Sequence, residues 1–374
     1  MIICEKCFAS EQIQQGIRRV GFVRDCPTCG NTNCYTINTN HIAEELPEVV
    51  DWFDDLLSHF TCDKTEISDI PDEEYVLLCA ELRKNWNIFS KNIQDEQAHE
   101  IISAICSDLY RYDKDLFEKP VIFKEKYDRK ELELSSLTRN KTWDDFVKEI
   151  SSENRFHTKT INLEALERIL SFIQTVVPAG QKFYRCRINH GETKYRPKEM
   201  WAPPPGRATS GRANAPGISC LYLAKDPETA IAEVRAGAYD QVTVGTFRLM
   251  RDIPVIDFRL IKTLCPIGIN MKYVDYAINH EHLVKIDQEM AKGLKSGDHS
   301  VDYVATQYIT DFIKSRTTVN KNGEQEKQYW GIIYNSTLHE EGYNLAVFYQ
   351  DVFKCIETKA YQVKTVQYST DIML

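Results

Sequence analysis

The sequence predicts a multidomain chain: a small cysteine-rich module at the front, a mainly α-helical middle and an α+β domain at the back. Three observations carry this expectation. Five of the twelve cysteines fall within the first 34 residues. Apolar residues recur at helical spacing through residues 42–177, and short β-like runs interrupted by few helices begin near Pro178. The expected parts are therefore 1–41, 42–177 and 178–374. At 374 residues the chain exceeds the usual single domain, and 43% hydrophobic with 27% charged residues is ordinary for a globular protein. No apolar run approaches the roughly 20 residues needed to span a bilayer, so no membrane partner is expected. The chain opens without a basic-then-apolar leader, which predicts a cytoplasmic location and reduced thiols. A formal net charge of −9 argues against nucleic acid as a partner along the whole chain.

Four of the early cysteines read Cys4-x2-Cys7 and Cys26-x2-Cys29, with 18 residues between the pairs. Two such pairs are what a tetrahedral Zn2+ ion needs, and the spacing predicts a small zinc ribbon. Four sulfurs leave no coordination position open, so the metal is expected to be structural. Gly30, next after the second pair, permits the positive φ such a knuckle uses. Cys34 is a fifth thiol nearby, either spare or a substitute ligand. The seven cysteines from Cys62 to Cys355 are scattered and read as buried small hydrophobes.

Between residues 44 and 74 stand twelve acidic residues and one lysine, interleaved with Val49, Trp52, Leu56 and Phe60. That is the pattern of a solvated helix face. Pro71 followed by three acids predicts a helix start running through Leu82. Ile101, Ile102, Ile105 and Leu109 predict a helix over 97–110; Leu166, Ile169, Leu170 and Ile173 predict one over 162–177. In the back half, strands are expected at 182–188, 220–224, 241–249, 254–258, 330–334 and 345–349, with helices at 227–237 and 302–314. Neither a dinucleotide glycine fingerprint nor a P-loop occurs.

The chemistry concentrates in that half. Residues 181–217 carry eight Lys and Arg against two Glu, a local net of +6, and five of the eight are Arg185, Arg187, Arg196, Arg207 and Arg212. The Pro- and Gly-rich stretch 203–217 is a loop, either a solvated basic one or one whose guanidinium groups grip a diphosphate. Downstream, Asp226-Pro227 starts a helix on which Glu233 shares a face with Ala230 and Val234. A carboxylate so placed either pairs with Arg235 or serves a site. Ser336 ends an apolar strand, and no Gly-x-Ser-x-Gly elbow surrounds it.

The succession Phe183-Tyr184-Arg185, Gly211-Arg212-Ala213-Asn214, Leu221-Tyr222-Leu223-Ala224, Glu228 through Glu233, Gln307-Tyr308 and Gly331 through Ser336 resembles the RES domain. The family is named for an Arg, a Glu and a Ser, matched here by Arg185, Glu233 and Ser336. The resemblance covers about half the chain, and the paired cysteines are similar to the N-terminal region of longer, HEPN/RES-type members. The resemblance implies an ADP-ribosyltransferase-like fold with NAD+ as substrate. RES proteins are commonly bacterial toxins that hydrolyse or phosphorolyse NAD+, and an antitoxin or other regulatory protein is the implied partner. Arg185 and Arg212 would hold the diphosphate, with Asn214 and Gln307 also at the binding site. Tyr222 would stack beside the nicotinamide, Glu233 would stabilise the oxocarbenium-like ribose, and Ser336 would orient it. Transfer of ADP-ribose to a protein, and a non-enzymatic zinc-ribbon interaction protein, are the alternatives.

Overall fold

The structure, a computed structural model, describes residues 1–67, 70–191, 194–292 and 303–366. The chain divides into two compact units: Met1–Thr142 with Lys159–Phe172 and Lys262–His282, and Trp143–Thr158 with Ile173–Ile261 and Leu283–Leu374. Among the described residues no helix is long and apolar enough to cross a membrane.

In the first unit, β1 (Ile2–Cys4) and β2 (Phe22–Arg24) flank β3 (Cys34–Asn38) in an antiparallel sheet. The helix Glu11–Val20 begins where the Ser10 hydroxyl accepts the Ile13 N–H at 3.4 Å. The acidic stretch forms the helices Ile42–Glu45 and Pro47–Leu57, which bury Val49, Phe53, Leu56 and Leu57 and leave Asp51, Asp54 and Asp55 off that face. A second small sheet, β4 (Phe60–Thr61), β5 (Val76–Leu77) and β6 (Pro120–Phe123), has β6 in the centre. Trp86 is buried in this unit between Phe123 and Tyr276, with ring centroids 5.6 and 5.1 Å away.

Three helices expected here differ from what forms. Residues 71–82 split into a 3-10 turn at Asp72–Glu74, β5 and the helix Leu78–Asn85, because Val76 and Leu77 pair with Val121 and Pro120. The 97–110 segment breaks at Cys106 into the helices Asp95–Ile105 and Ser107–Tyr112. The 162–177 helix stops at Leu170. Its β-branched end becomes β7 (Gln174–Val177), paired with Ile253 through Ile256.

The second unit is built on one sheet of eight strands. In chain order these are β7, β8 (Lys182–Ile188), β9 (Leu221–Ala224), β10 (Gln241–Leu249), β11 (Ile253–Asp257), β14 (Gly331–Asn335), β15 (Tyr343–Val347) and β16 (Phe353–Gln362). The short hairpin β12 (Thr317–Val319) and β13 (Gln325–Lys327) stands apart. The order across the sheet is β16-β10-β8-β9-β15-β14-β11-β7, antiparallel except for the β11–β14 pair. Phe183, Leu221, Leu223, Phe247, Leu345 and Val347 form one core cluster, and Cys186, Ala224, Ala230, Val242 and Val244 form another. The small residues of the second cluster admit the helix Pro227–Glu233 close to the sheet.

The expected strands at 182–188 and 241–249 match β8 and β10, and the other four are displaced by one or two residues. The ten-residue β16 and the helix Tyr273–Ala291 had no distinct signal: β16 is an edge strand whose apolar residues alternate with Lys354, Glu357 and Lys359, most of them solvated. The helix expected at 302–314 forms over Val304–Ser315, and Asp302 lies outside the described residues. That at 227–237 ends at Glu233, because Val234 caps it and Arg235 turns to φ 52°.

The Asp226 carboxylate caps the Pro227–Glu233 helix by accepting the Thr229 N–H at 2.7 Å. Asp226→Ala is expected to cost about 1 kcal/mol, read as a lower denaturant midpoint.

Candidate functional site

Strands β8 and β9 share a single ladder pair, Tyr184 with Ala224. Both contribute to a cleft of about 280 Å³ whose lining includes Tyr184, Arg185, Arg212, Tyr222, Glu233 and Tyr334. The fold thus brings together residues more than a hundred positions apart.

Glu233 is the last residue of its helix, seven residues after Asp226 and so about 10 Å along the axis. Its Oε1 accepts two hydrogen bonds, from Ser336 Oγ at 2.6 Å and Asn344 Nδ2 at 2.7 Å. Ser336 and Asn344 are both buried. The Ser336 hydroxyl in turn accepts the Leu338 N–H at 3.2 Å, which leaves its proton for Glu233. The carboxylate is therefore held by donors from the β14–β15 hairpin. Arg235, the partner the sequence offered for Glu233, lies two residues beyond the helix end at φ 52°.

Arg185, on β8, is half-buried, and its Nη1 is sealed from solvent with no hydrogen-bond partner among the described residues. Burial, with Arg187 nearby, pulls the guanidinium down to about 10, so it remains a cation at neutral pH. A buried cation with an unmet donor is suited to an anion. Arg212 is engaged differently. Its Nη1 donates to the Met290 carbonyl at 3.3 Å, its Nη2 to the Lys292 carbonyl, and its guanidinium lies 5.8 Å from the Tyr334 ring. Arg187 stacks on Tyr195 and Arg196 pairs with exposed Glu199, so much of the +6 segment is occupied away from the cleft.

Tyr222 and Tyr334 supply two aromatic walls. Burial raises both phenols well above their ordinary range, so both are neutral. The Tyr222 hydroxyl donates to Asn214 Oδ1 at 2.6 Å and accepts the Ala213 N–H at 3.0 Å. Asn214 Nδ2 donates to the carbonyls of Thr209, Ala215 and Ile218, at 2.9, 3.0 and 2.9 Å. Gln307 reaches over from the Val304–Ser315 helix, its Nε2 donating to Ser210 Oγ and to the carbonyls of Gly211 and Asn214 at 2.8–3.0 Å. Asn214 and Gln307 thus brace the loop that forms the cleft wall, and neither is among the lining residues. Gly211 is needed where it stands, since a Cβ there would meet the Tyr222 hydroxyl at 2.5 Å. Asn344 was not singled out from the sequence; its only signal was one amide inside an otherwise apolar run.

The family model for the RES domain matches residues 182–371. The chain belongs to the RES domain family. The match begins at β8 and leaves the paired cysteines outside it. No curated protein matches the chain. Among solved structures it is similar to a chain of the M. tuberculosis MbcT–MbcA toxin–antitoxin complex, at 14% identity and a TM-score of 0.30, covering 54% of this chain and 94% of that one. Within the RES domain, Arg185 and Glu233 line the cleft, and Ser336 touches it through Glu233.

The second cluster lies in the other unit. Sγ···Sγ distances are 3.8 Å for Cys4–Cys7, 3.5 Å for Cys4–Cys29 and 3.8 Å for Cys7–Cys26, and all four sulfurs lie within 4.8 Å of one another. Zn–S bonds of about 2.3 Å in a tetrahedron place sulfurs about 3.8 Å apart, so the four thiols fit such an ion. Gly30, at φ +73°, turns the second knuckle, where the Gly30 N–H meets the Cys26 carbonyl at 2.9 Å. Burial pushes the Cys26 thiol up to about 12. Burial also acts on Cys29, but hydrogen bonds from the Asn31 side chain and backbone outweigh it and bring that thiol to about 7. Cys34 Sγ donates to the carbonyls of Arg24 and Asn31, at 3.3 and 3.4 Å.

Two outcomes follow from this geometry. Cys26→Ser is expected to lose bound zinc, measured by elemental analysis of the purified full chain, whereas Cys34→Ser keeps it. Gly211→Ala is expected to displace Tyr222 and destabilise the protein by about 1–3 kcal/mol, read by chemical denaturation.

Proposed function

We propose that this chain cleaves the N-glycosidic bond joining nicotinamide to ribose in NAD+. The observation that carries the reading is the pairing, in one cleft, of a hydrogen-bonded carboxylate at Glu233 with a half-buried guanidinium at Arg185 whose sealed Nη1 has no partner among the described residues. Family membership supports it, because the same Arg, Glu and Ser give the RES domain its name.

As the bond from ribose C1′ to the nicotinamide nitrogen breaks, its electron pair leaves with nicotinamide and cancels the ring charge. Positive charge builds on C1′ and the ring oxygen of the ribose. The Glu233 carboxylate is placed to stabilise that charge, and Ser336 keeps it oriented. Arg185 offers the free donor to the diphosphate. Arg212, tied to two backbone carbonyls, contributes charge and holds the wall rather than presenting an open fork. Tyr222 packs beside the departing nicotinamide. Water or inorganic phosphate then closes on C1′, giving ADP-ribose or its 1-phosphate. Zinc at Cys4, Cys7, Cys26 and Cys29 would supply structure alone, and an antitoxin or other regulatory protein that covered the cleft would silence it.

Purified full-length protein given NAD+ alone is expected to release nicotinamide steadily, and stimulation by inorganic phosphate would select phosphorolysis over hydrolysis. Glu233→Ala should lower the rate at least about 100-fold, the order seen when transition-state charge stabilisation is removed. Arg185→Ala should act mainly by raising KM. A folded wild-type chain that releases no nicotinamide with any acceptor would overturn the reading in favour of a binding protein.

A further inference from the structure

The carboxylate of Glu233 has two oxygens, and the fold treats them differently. Oε1 receives both donors, Ser336 Oγ and Asn344 Nδ2, and among the described residues Oε2 receives none. A carboxylate bonded through one oxygen only by a hydroxyl can still pivot about that contact, because a hydroxyl proton rotates with it. A second donor of fixed direction removes the pivot. Asn344 is that donor: its amide N–H lies in the plane of an sp2 group whose position is set by the strand beneath it.

That strand is held on both sides. Asn344 is the second residue of β15, where it pairs with Tyr334 on β14 and with Ala224 on β9. The ladder continues past Ser336, whose N–H donates to the Gly342 carbonyl at 2.9 Å, so the two donors sit on one rigid hairpin. Asn344 is 4% exposed and is followed by buried Leu345, Ala346 and Val347. An amide in such a place is costly unless bonded, and its Nδ2 bonds Glu233.

We propose that Asn344 is the positioning residue of this site: it locks the Glu233 carboxylate so that Oε2 faces the ribose carbon at which charge develops. The inference rests on the NAD+ reading above. Asn344 is among the residues lining the cleft, and the part assigned to it is played through Glu233. Serine supplies the proton, asparagine supplies the direction, and the two together fix which oxygen reacts.

The test is a double-mutant cycle on nicotinamide release by the full chain, with Asn344→Leu and Glu233→Ala made singly and together. Asn344→Leu keeps the size and removes the donor. It is expected to lower kcat about 10–100-fold with KM changed by less than about threefold, and to cause no further loss on the Glu233→Ala background. Asn344→Asp, of the same shape but with a like charge against Glu233, should be at least as damaging, while Asn344→Ser, which restores a donor, should recover part of the rate. Thermal unfolding of each variant identifies loss of fold, and Asn344→Ser carries the test if Asn344→Leu does not fold. Full kcat in a folded Asn344→Leu, or an equal loss on both backgrounds, overturns the positioning role while leaving the NAD+ reading intact. Absence of nicotinamide release by the wild type overturns that reading, and the positioning role with it.

Discussion

A carboxylate placed inside a half-buried cleft has to be hydrogen-bonded, and in this chain that requirement ties the site together. Glu233 ends a short helix, and its donors come from a hairpin a hundred residues later. The helix is started by Asp226 and Pro227, packs its Ala230 into a cluster with Cys186 and Ala224 of the sheet, and stops when Arg235 turns to positive φ. Each feature sets where the carboxylate ends. If the helix ran on to Gly237, Glu233 would lie mid-helix instead of at the end that meets the β14–β15 hairpin.

The cations around it are sorted by burial rather than by count. Five arginines fall between residues 181 and 217. Arg196 and Arg187 are exposed or stacked and have local partners, and salt bridges of the exposed kind contribute little. Arg212 fastens the cleft wall through the carbonyls of Met290 and Lys292. Of these five arginines, Arg185 is the one with a sealed guanidinium nitrogen that has no partner among the described residues, which is why a single guanidinium carries more meaning than the net of +6.

The wall itself is an example of polar groups that stiffen a loop. Residues 203–217 are too rich in Pro and Gly for a helix or a central strand, and their backbone closes on itself only through turn and bridge contacts, such as the Gly206 N–H to the Gly217 carbonyl and the Gly217 N–H to the Ala208 carbonyl, both at 2.8 Å. Asn214, Tyr222 and Gln307 fasten them with eight further hydrogen bonds drawn from the loop, a strand and a helix, the one from Gln307 Nε2 to the Asn214 carbonyl closing the ring. In the other unit the sulfurs of Cys4, Cys7, Cys26 and Cys29 converge, and a metal ion held there would cross-link the small three-stranded sheet.

Much of this was legible in the sequence, for local reasons. The two cysteine pairs carry their geometry in their spacing, and β8 and β10 alternate strongly enough to be bounded to the residue. Asp226-Pro227 marks a helix start wherever it occurs. Arg185, Glu233 and Ser336 could be named because their flanking motifs follow one another in order. What the tertiary structure decided are matters of partnership. Val76, Leu77 and residues 174–177 became strands because distant strands were there to pair with them, overriding a helical pattern. Asn214 and Gln307 became braces, Arg212 a fastener and Asn344 a donor to Glu233, because hydrogen-bond direction depends on groups brought together by the sheet. Sequence order records which side chains are available. Only the register of β14 and β15, and the end of one seven-residue helix, decide which oxygen of Glu233 is held and which is left facing the cleft.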